Sequence, residues 1–198
     1  MGNESLAVQL SAVVASTTAT EISINYALKN TTNARIVVFD HYVYFGEKSV
    51  AHRDPGGVNV FLDADGSARL VRGVFSPPIY MSVASRPPIL VSPVEPGASL
   101  TGVIRLAVPT AESNIFFPRI SCDVANARRI KHVRLQLGWL EHGSNMTFRE
   151  LVIDDKKFFN IGSDWGQPVQ RVAEVNIAGL SILVCPYPGR FDGPLLTK

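Results

Sequence analysis

Residues that usually announce chemistry are scarce in this chain. Two cysteines, two tryptophans, three methionines and four histidines are spread over 198 residues. His41, His52, His132 and His142 form no His-Glu-x-x-His, no His-x-His pair and no partnership with a Cys-x-x-Cys, so no zinc module is written in the spacing. A Gly-x-Ser-x-Gly elbow is missing, and so is a glycine-rich phosphate loop, because no amphipathic helix is available to follow one. No cofactor is implied. No apolar run approaches the ~18 residues of a membrane-spanning helix. The opening Met-Gly-Asn-Glu-Ser has neither the basic nor the apolar region of a signal peptide. The net charge of +2 is too small to call for nucleic acid or a membrane surface as partner.

What is present is alternation. Along Thr20–Lys29, Ile22, Ile24, Tyr26 and Leu28 fall on one side and Glu21, Ser23, Asn25 and Lys29 on the other. That period of two belongs to a strand with one dry and one wet face. Val133, Leu135, Leu137 and Trp139 repeat it against His132, Arg134 and Gln136. Leu6–Val14 and Leu100–Val108 read as further strands. Ile36–Phe45 is apolar on both sides, as a central strand covered twice or one bearing an exposed aromatic strip would be. Asp54-Pro-Gly-Gly and Asp63-Ala-Asp-Gly-Ser mark turns, the second a hairpin into Ala68–Phe75. The Asp63 loop also looks like a fragment of a calcium loop, but ligands fail at both of its ends. Six prolines between Pro77 and Pro96 suggest edge strand or crossing loop. Phe148–Ile153 is a short strand, and Val169–Ile177 with Leu180–Cys185 suggest a last pair.

These patterns predict an all-β, immunoglobulin-like antiparallel β-sandwich of roughly nine to eleven strands with Greek-key-like connections. It forms a single domain over residues 1–198, with 141–198 as an elaboration ending in an extended tail. The layout resembles, on strand pattern alone, the small β-sandwich accessory domains of bacterial envelope proteins.

Candidate contacts follow from charge and aromatics. Arg119–Arg134 is the densest basic stretch, and Arg128, Arg129, Lys131 and Arg134 are its candidates for an acidic partner, set against the single acid Asp123. A strand also carries such charges for solubility. Trp165, in Ser-Asp-Trp-Gly, is the candidate for stacking on a sugar, since Trp139 lies on a dry face. Tyr42, Tyr44, Phe45, Phe75, Tyr80, Phe116 and Phe117 gather in one half, as inter-sheet core or as a partner patch. Pro93-Val-Glu-Pro has PxxP spacing, and Asn3, Asn30 and Asn145 head glycosylation triplets. Cys122 and Cys185 either form a disulfide, worth roughly 4 kcal/mol by loop entropy, or are buried thiols.

The function these features favour is a non-catalytic interaction or accessory domain with a protein partner. It would work in the periplasm or outside the cell, with its signal peptide absent from this chain; nucleic acid and a membrane span are not expected. A carbohydrate-binding module is the alternative. A metal-dependent enzyme assembled from His41, His52 and Asp54 comes third.

Overall fold

A computed structural model of the chain describes residues 7–45, 51–74, 88–113, 120–143, 147–153, 155–161 and 170–187. One layer is a three-stranded antiparallel sheet in the order β1 (Val8–Thr17), β2 (Glu21–Asn30) and β9 (Ser99–Ala107). The facing layer is built around β12 (Val133–Glu141), with β15 (Arg171–Asn176) antiparallel along one side. Its other side is shared. β7 (Ala68–Arg72) runs parallel to Val133–Leu137 and leads to β6 (Asn59–Leu62). β3 (Ile36–Val38) pairs with Trp139–Glu141 and leads through β8 (Leu90–Val94) and β14 (Lys156–Ile161) to β13 (Phe148–Ile153). A small sheet of β10 (Thr110–Ala111), β16 (Ile182–Cys185) and β11 (Arg128–Ile130) and a hairpin of β4 (Tyr42–Phe45) and β5 (Ala51–Asp54) complete the architecture. The only helical piece among the described residues is a 3-10 turn, Val124–Asn126.

The alternation in sequence becomes the core. Ile22, Ile24, Tyr26 and Leu28 of β2 and Ile104 and Leu106 of β9 face Val133, Leu135, Leu137 and Trp139 of β12 and Leu70 of β7. Each such aliphatic or aromatic side chain contributes roughly 1.5–3 kcal/mol when buried. The layers therefore make an all-β sandwich. β3 is covered twice: Ile36 and Val38 point into this core, while Val37 and Phe39 join Val91, Leu140 and Ile161 on the opposite face.

Several segments that read as one strand are two, which raises the number described to sixteen. The apolar run 36–45 breaks after Phe39, whose N–H makes the last ladder bond to Gly138 O, because Asp40 C=O turns to the Arg72 guanidinium instead. The basic run divides at Lys131-His132, where the chain leaves β16 and enters the main sheet. Among the described residues two pairings are parallel, β7 with β12 and β10 with β16. The last two strands do not pair with each other. The turn at Gly179, with φ 72°, carries the chain from β12's neighbour β15 to a different sheet. Leu90–Val94 is internal rather than edge; Pro93 is tolerated opposite Val37 because β14 pairs only with Leu90 and Val91. β14 carried no signal, since Phe158-Phe159 does not alternate. The remainder of the 77–96 proline stretch lies largely outside the described residues, as do Phe75, Tyr80, Phe116, Phe117 and the 188–198 tail.

The sandwich is cross-tied by one buried cation. Arg72, 3% exposed, follows Ala68 and Leu70 on the dry face of β7. Its Nε donates to Gly57 O (2.9 Å), Nη1 to Tyr26 Oη (3.0 Å) and Asp40 O (2.6 Å), and Nη2 to Pro55 O (2.9 Å) and Val103 O (3.0 Å). All five N–H groups of the guanidinium are thus engaged. Tyr26 lies across its β9 neighbour Gly102, where any Cβ would collide with the phenol ring. Burial pushes the Tyr26 phenol pKa up, with the Arg72 cation opposing.

Arg72→Lys and Arg72→Met are each expected to destabilise the fold by about 3 kcal/mol or more, because an ammonium has too few donors for these acceptors and a thioether has none. Urea denaturation checks this, with Arg129→Lys as a surface control expected to change stability by less than about 0.5 kcal/mol.

Candidate functional site

Two places in the described residues concentrate polar groups. The first is the seam beside Arg72. Asp40 and His41 follow β3, Arg53 lies on β5, and Ser92 lies on β8, so two pairings, β3 with β8 and β4 with β5, bring them together. Arg53 Nε donates to His41 Nδ1 (3.0 Å) and the guanidinium lies over the Phe158 ring. His41 Nε2 is 3.3 Å from Ser92 Oγ and 3.5 Å from Asp40 Oδ1. Asp40 Oδ1 is buried without a hydrogen-bond partner.

A serine, a histidine and an aspartate in contact invite comparison with a nucleophilic triad. The proton positions argue otherwise. An arginine N–H only donates, so His41 Nδ1 is the acceptor and the neutral ring carries its proton on Nε2. Nε2–H then donates toward Ser92 Oγ and is unable to take the serine proton. The aspartate also sits on the Nε2 side rather than on Nδ1, where a triad carboxylate would hold the ring. Burial lowers the His41 pKa; Asp40 opposes this, and Arg53 and Arg72 reinforce it.

Next to this seam a cavity of about 280 Å³ opens between β9 and the β5–β6 turn, lined by Tyr26, Asp40, Arg53, Arg72, Gly102 and Arg105 among others. None of these arginines stood out in the sequence. Arg72 carried a signal, because it shares the dry face of β7 with Ala68 and Leu70, where a charge must have a buried partner. Arg53 and Arg105 gave none, since only the fold brings β5 to β9.

The second place is the small sheet. Cys122 and Cys185 are joined in a disulfide, Cα–Cα 5.5 Å, which fixes the segment before the 3-10 turn to the end of β16. Arg128 and Arg129 lie on β11, at the edge of that sheet, and Lys131 follows; all three are exposed and pair with no carboxylate among the described residues. Val124 stands 62% exposed beside them. Arg134 is placed differently. Its Nη2 donates to Asp63 Oδ2 (2.7 Å) and Nη1 lies 3.6 Å from Glu174, so it fastens β12 to the β6–β7 hairpin and to β15. Asp63 also accepts from Arg69 Nε and from Ser67 Oγ, so its carboxylate is already engaged by two arginines and a serine.

Other sequence candidates are dispersed. Trp165 lies outside the described residues. His52 stacks on Tyr44, Asp54 Oδ1 accepts from Gly56 N, and among the described residues no three metal-ligating side chains converge. Of the aromatics, Tyr42 is buried and Tyr44 is 39% exposed. Asn30 is fully buried, its amide donating to Ala34 O and Val94 O, which leaves no room for a glycan.

The lowered His41 pKa has a definite sign. Stability from keeping this ring neutral is complete above the unfolded value near 6.5 and declines as pH falls toward the lower folded value, because the unfolded chain takes up the proton first. His41→Gln keeps a donor toward Ser92 and does not titrate. Between about pH 7.5 and 5 the wild type is expected to lose more melting temperature than this variant. Parallel melting curves against pH check it; equal slopes would place no protonation penalty at His41.

No protein-family model, curated protein or solved structure matches this chain.

Proposed function

We propose that this protein is a non-catalytic interaction domain that holds an acidic, extended protein segment along the β11 edge. The observation that carries the reading is the exposed cation set of Arg128 and Arg129 on edge strand β11 and Lys131 just after it, which pairs with no carboxylate among the described residues, beside a β16 fastened by the Cys122–Cys185 bond. An edge strand offers unpaired backbone groups to an added strand, and charge selects the partner and speeds encounter. Edge arginines and lysines also guard sheets against self-association. A partner therefore has to bring opposite charge, which a second copy of this edge does not.

The His41 tautomer supports the non-catalytic part of the reading, because the His41–Ser92 contact is set up in the direction opposite to base catalysis. The disulfide supports action in the periplasm or outside the cell, where such bonds persist. The same reading takes the body as immunoglobulin-like, on the strength of a three-stranded antiparallel sheet facing a larger one.

An alternating Glu–Val octapeptide is the test ligand. It is expected to bind the wild type at low salt, to weaken steeply with added salt, and to lose at least about tenfold affinity in Arg128→Glu/Arg129→Glu/Lys131→Glu. Absence of binding to wild type, or equal binding to the variant, overturns the reading. Removing the bridge by Cys122→Ser/Cys185→Ser is expected to lower stability by roughly 4 kcal/mol in denaturant titration and to weaken the peptide as well.

A further inference from the structure

β1 is the longest described strand at a sheet edge, and its chemistry sets it apart from most other edges. It pairs with β2 alone, so one side of its ten-residue backbone has no ladder partner among the described residues. Elsewhere the edges are closed or charged. On β9, Val103 O accepts from Arg72 and Arg105 N–H donates to Gly56 O. β11 carries Arg128 and Arg129, β15 carries Arg171 and Glu174, and β13 carries Arg149 and Glu150. Such charges keep edges from joining one another. β1 reads Val-Gln-Leu-Ser-Ala-Val-Val-Ala-Ser-Thr, with neither a charge nor a proline.

The direction of its backbone groups follows from its neighbour. Asn30 N–H donates to Ala98 O and Asn30 O accepts from Gly97 N–H, so Asn30 faces β9 and Lys29 faces β1. Lys29, Ala27 and Asn25 stand opposite Gln9, Ser11 and Val13, which therefore make the ladder to β2. Peptide directions alternate along a strand, so the N–H and C=O of Leu10, Ala12 and Val14 point to the free edge. The side chains of these three pack partly buried against the core. Gln9, Ser11, Val13 and Ala15 are exposed on the other face, Val13 to 62%.

We propose that β1 pairs antiparallel with β1 of a second copy, about a twofold axis that sets Ala12 opposite Ala12 and joins two three-stranded sheets into one. An axis perpendicular to the sheet keeps both dry faces on the same side. Leu10 then meets the second copy's Val14 beside the core, and Ser11 meets the second copy's Val13 on the wet face. Centring the axis on Val13 instead would carry Leu10 onto Ser16, beyond the bulge between Val14 and Ser16. The absence of charge argues for a second copy as occupant. No like charges oppose self-pairing, and nothing on the strand selects a charged foreign segment. A ladder from Gln9 to Ala15, about 23 Å long, buries less than the ~1,200 Å² of a standard interface, so the dimer is weak and concentration-dependent. It is independent of the β11 edge, which belongs to another sheet.

Sedimentation equilibrium of the full chain with its disulfide intact, from about 5 to 500 µM, is expected to show monomer and dimer with a Kd of about 50 µM. Ser11→Lys/Val13→Lys sets lysine opposite lysine across the junction and is expected to raise that Kd at least about tenfold. Ser11→Glu/Val13→Lys sets glutamate opposite lysine twice and is expected to restore the dimer. Both variants change only exposed side chains, so their monomers are expected to melt like the wild-type monomer. Amide exchange at Leu10, Ala12 and Val14 is expected to slow as wild-type concentration rises. Arg128→Glu/Arg129→Glu/Lys131→Glu is expected to dimerise as the wild type does. A wild type still monomeric at about 500 µM overturns the proposal and leaves the edge to a foreign strand. So does a dimer indifferent to the lysine pair, or one that the glutamate–lysine pair fails to restore.

Discussion

A buried guanidinium bonded to neutral oxygens is the constraint on which this architecture turns. Arg72 leaves the middle of the larger sheet and reaches Tyr26 on the smaller one, Val103 on its edge strand, Asp40 at the end of β3 and both ends of the Pro55–Gly57 turn. Apolar packing between the sheets is non-directional and would tolerate sliding. Five hydrogen bonds from one planar group do not, so the register between the layers is set by this side chain. The edge carbonyl of Val103, which would otherwise invite an added strand, is also closed by it.

The same ligation shapes the neighbouring polar seam. Because Asp40 gives its carbonyl to Arg72, the strand cannot continue, and the chain turns His41 inward against Phe158. Arg53 then decides the histidine's tautomer. A cluster that looks catalytic by composition is made structural by the identity of one donor. What it leaves over is one Asp40 oxygen, Oδ1, buried without a hydrogen-bond donor.

How much of this was legible depends on the range of the physics involved. Alternation in 20–29 and 133–139 fixed the faces of β2 and β12, and hydrophobic burial honoured them: Ile24, Leu28, Leu135 and Leu137 are fully buried. Turns built from Asp and Gly were readable because their hydrogen bonds are local, as at Asp63–Ser67, where Gly66 has φ 81°. Partner choice between strands was not readable. Nothing near Ile182 says that β16 joins β10 and β11 instead of β15, and nothing near Arg105 says that Arg53 will lie beside it. Those are consequences of closing a fold over long sequence separations. Breaks in long runs were equally hidden, because the Asp40 break depends on a residue thirty-two positions away.

The disulfide has a consequence for how the molecule comes apart. β16 is four residues long and pairs with strands of two and three residues, so its ladder alone would unzip readily. Peeling that starts beyond Tyr187 meets a covalent stop at Cys185, and the strand ahead of it is never released. Peeling from β11 is arrested in the same way at Cys122. Local opening of this sheet is therefore confined between two anchored points and closes again without a search through space, as expected for an intramolecular tether of high effective concentration. A pulling force applied at Tyr187 would act on the chain outside the bond and leave the sandwich closed.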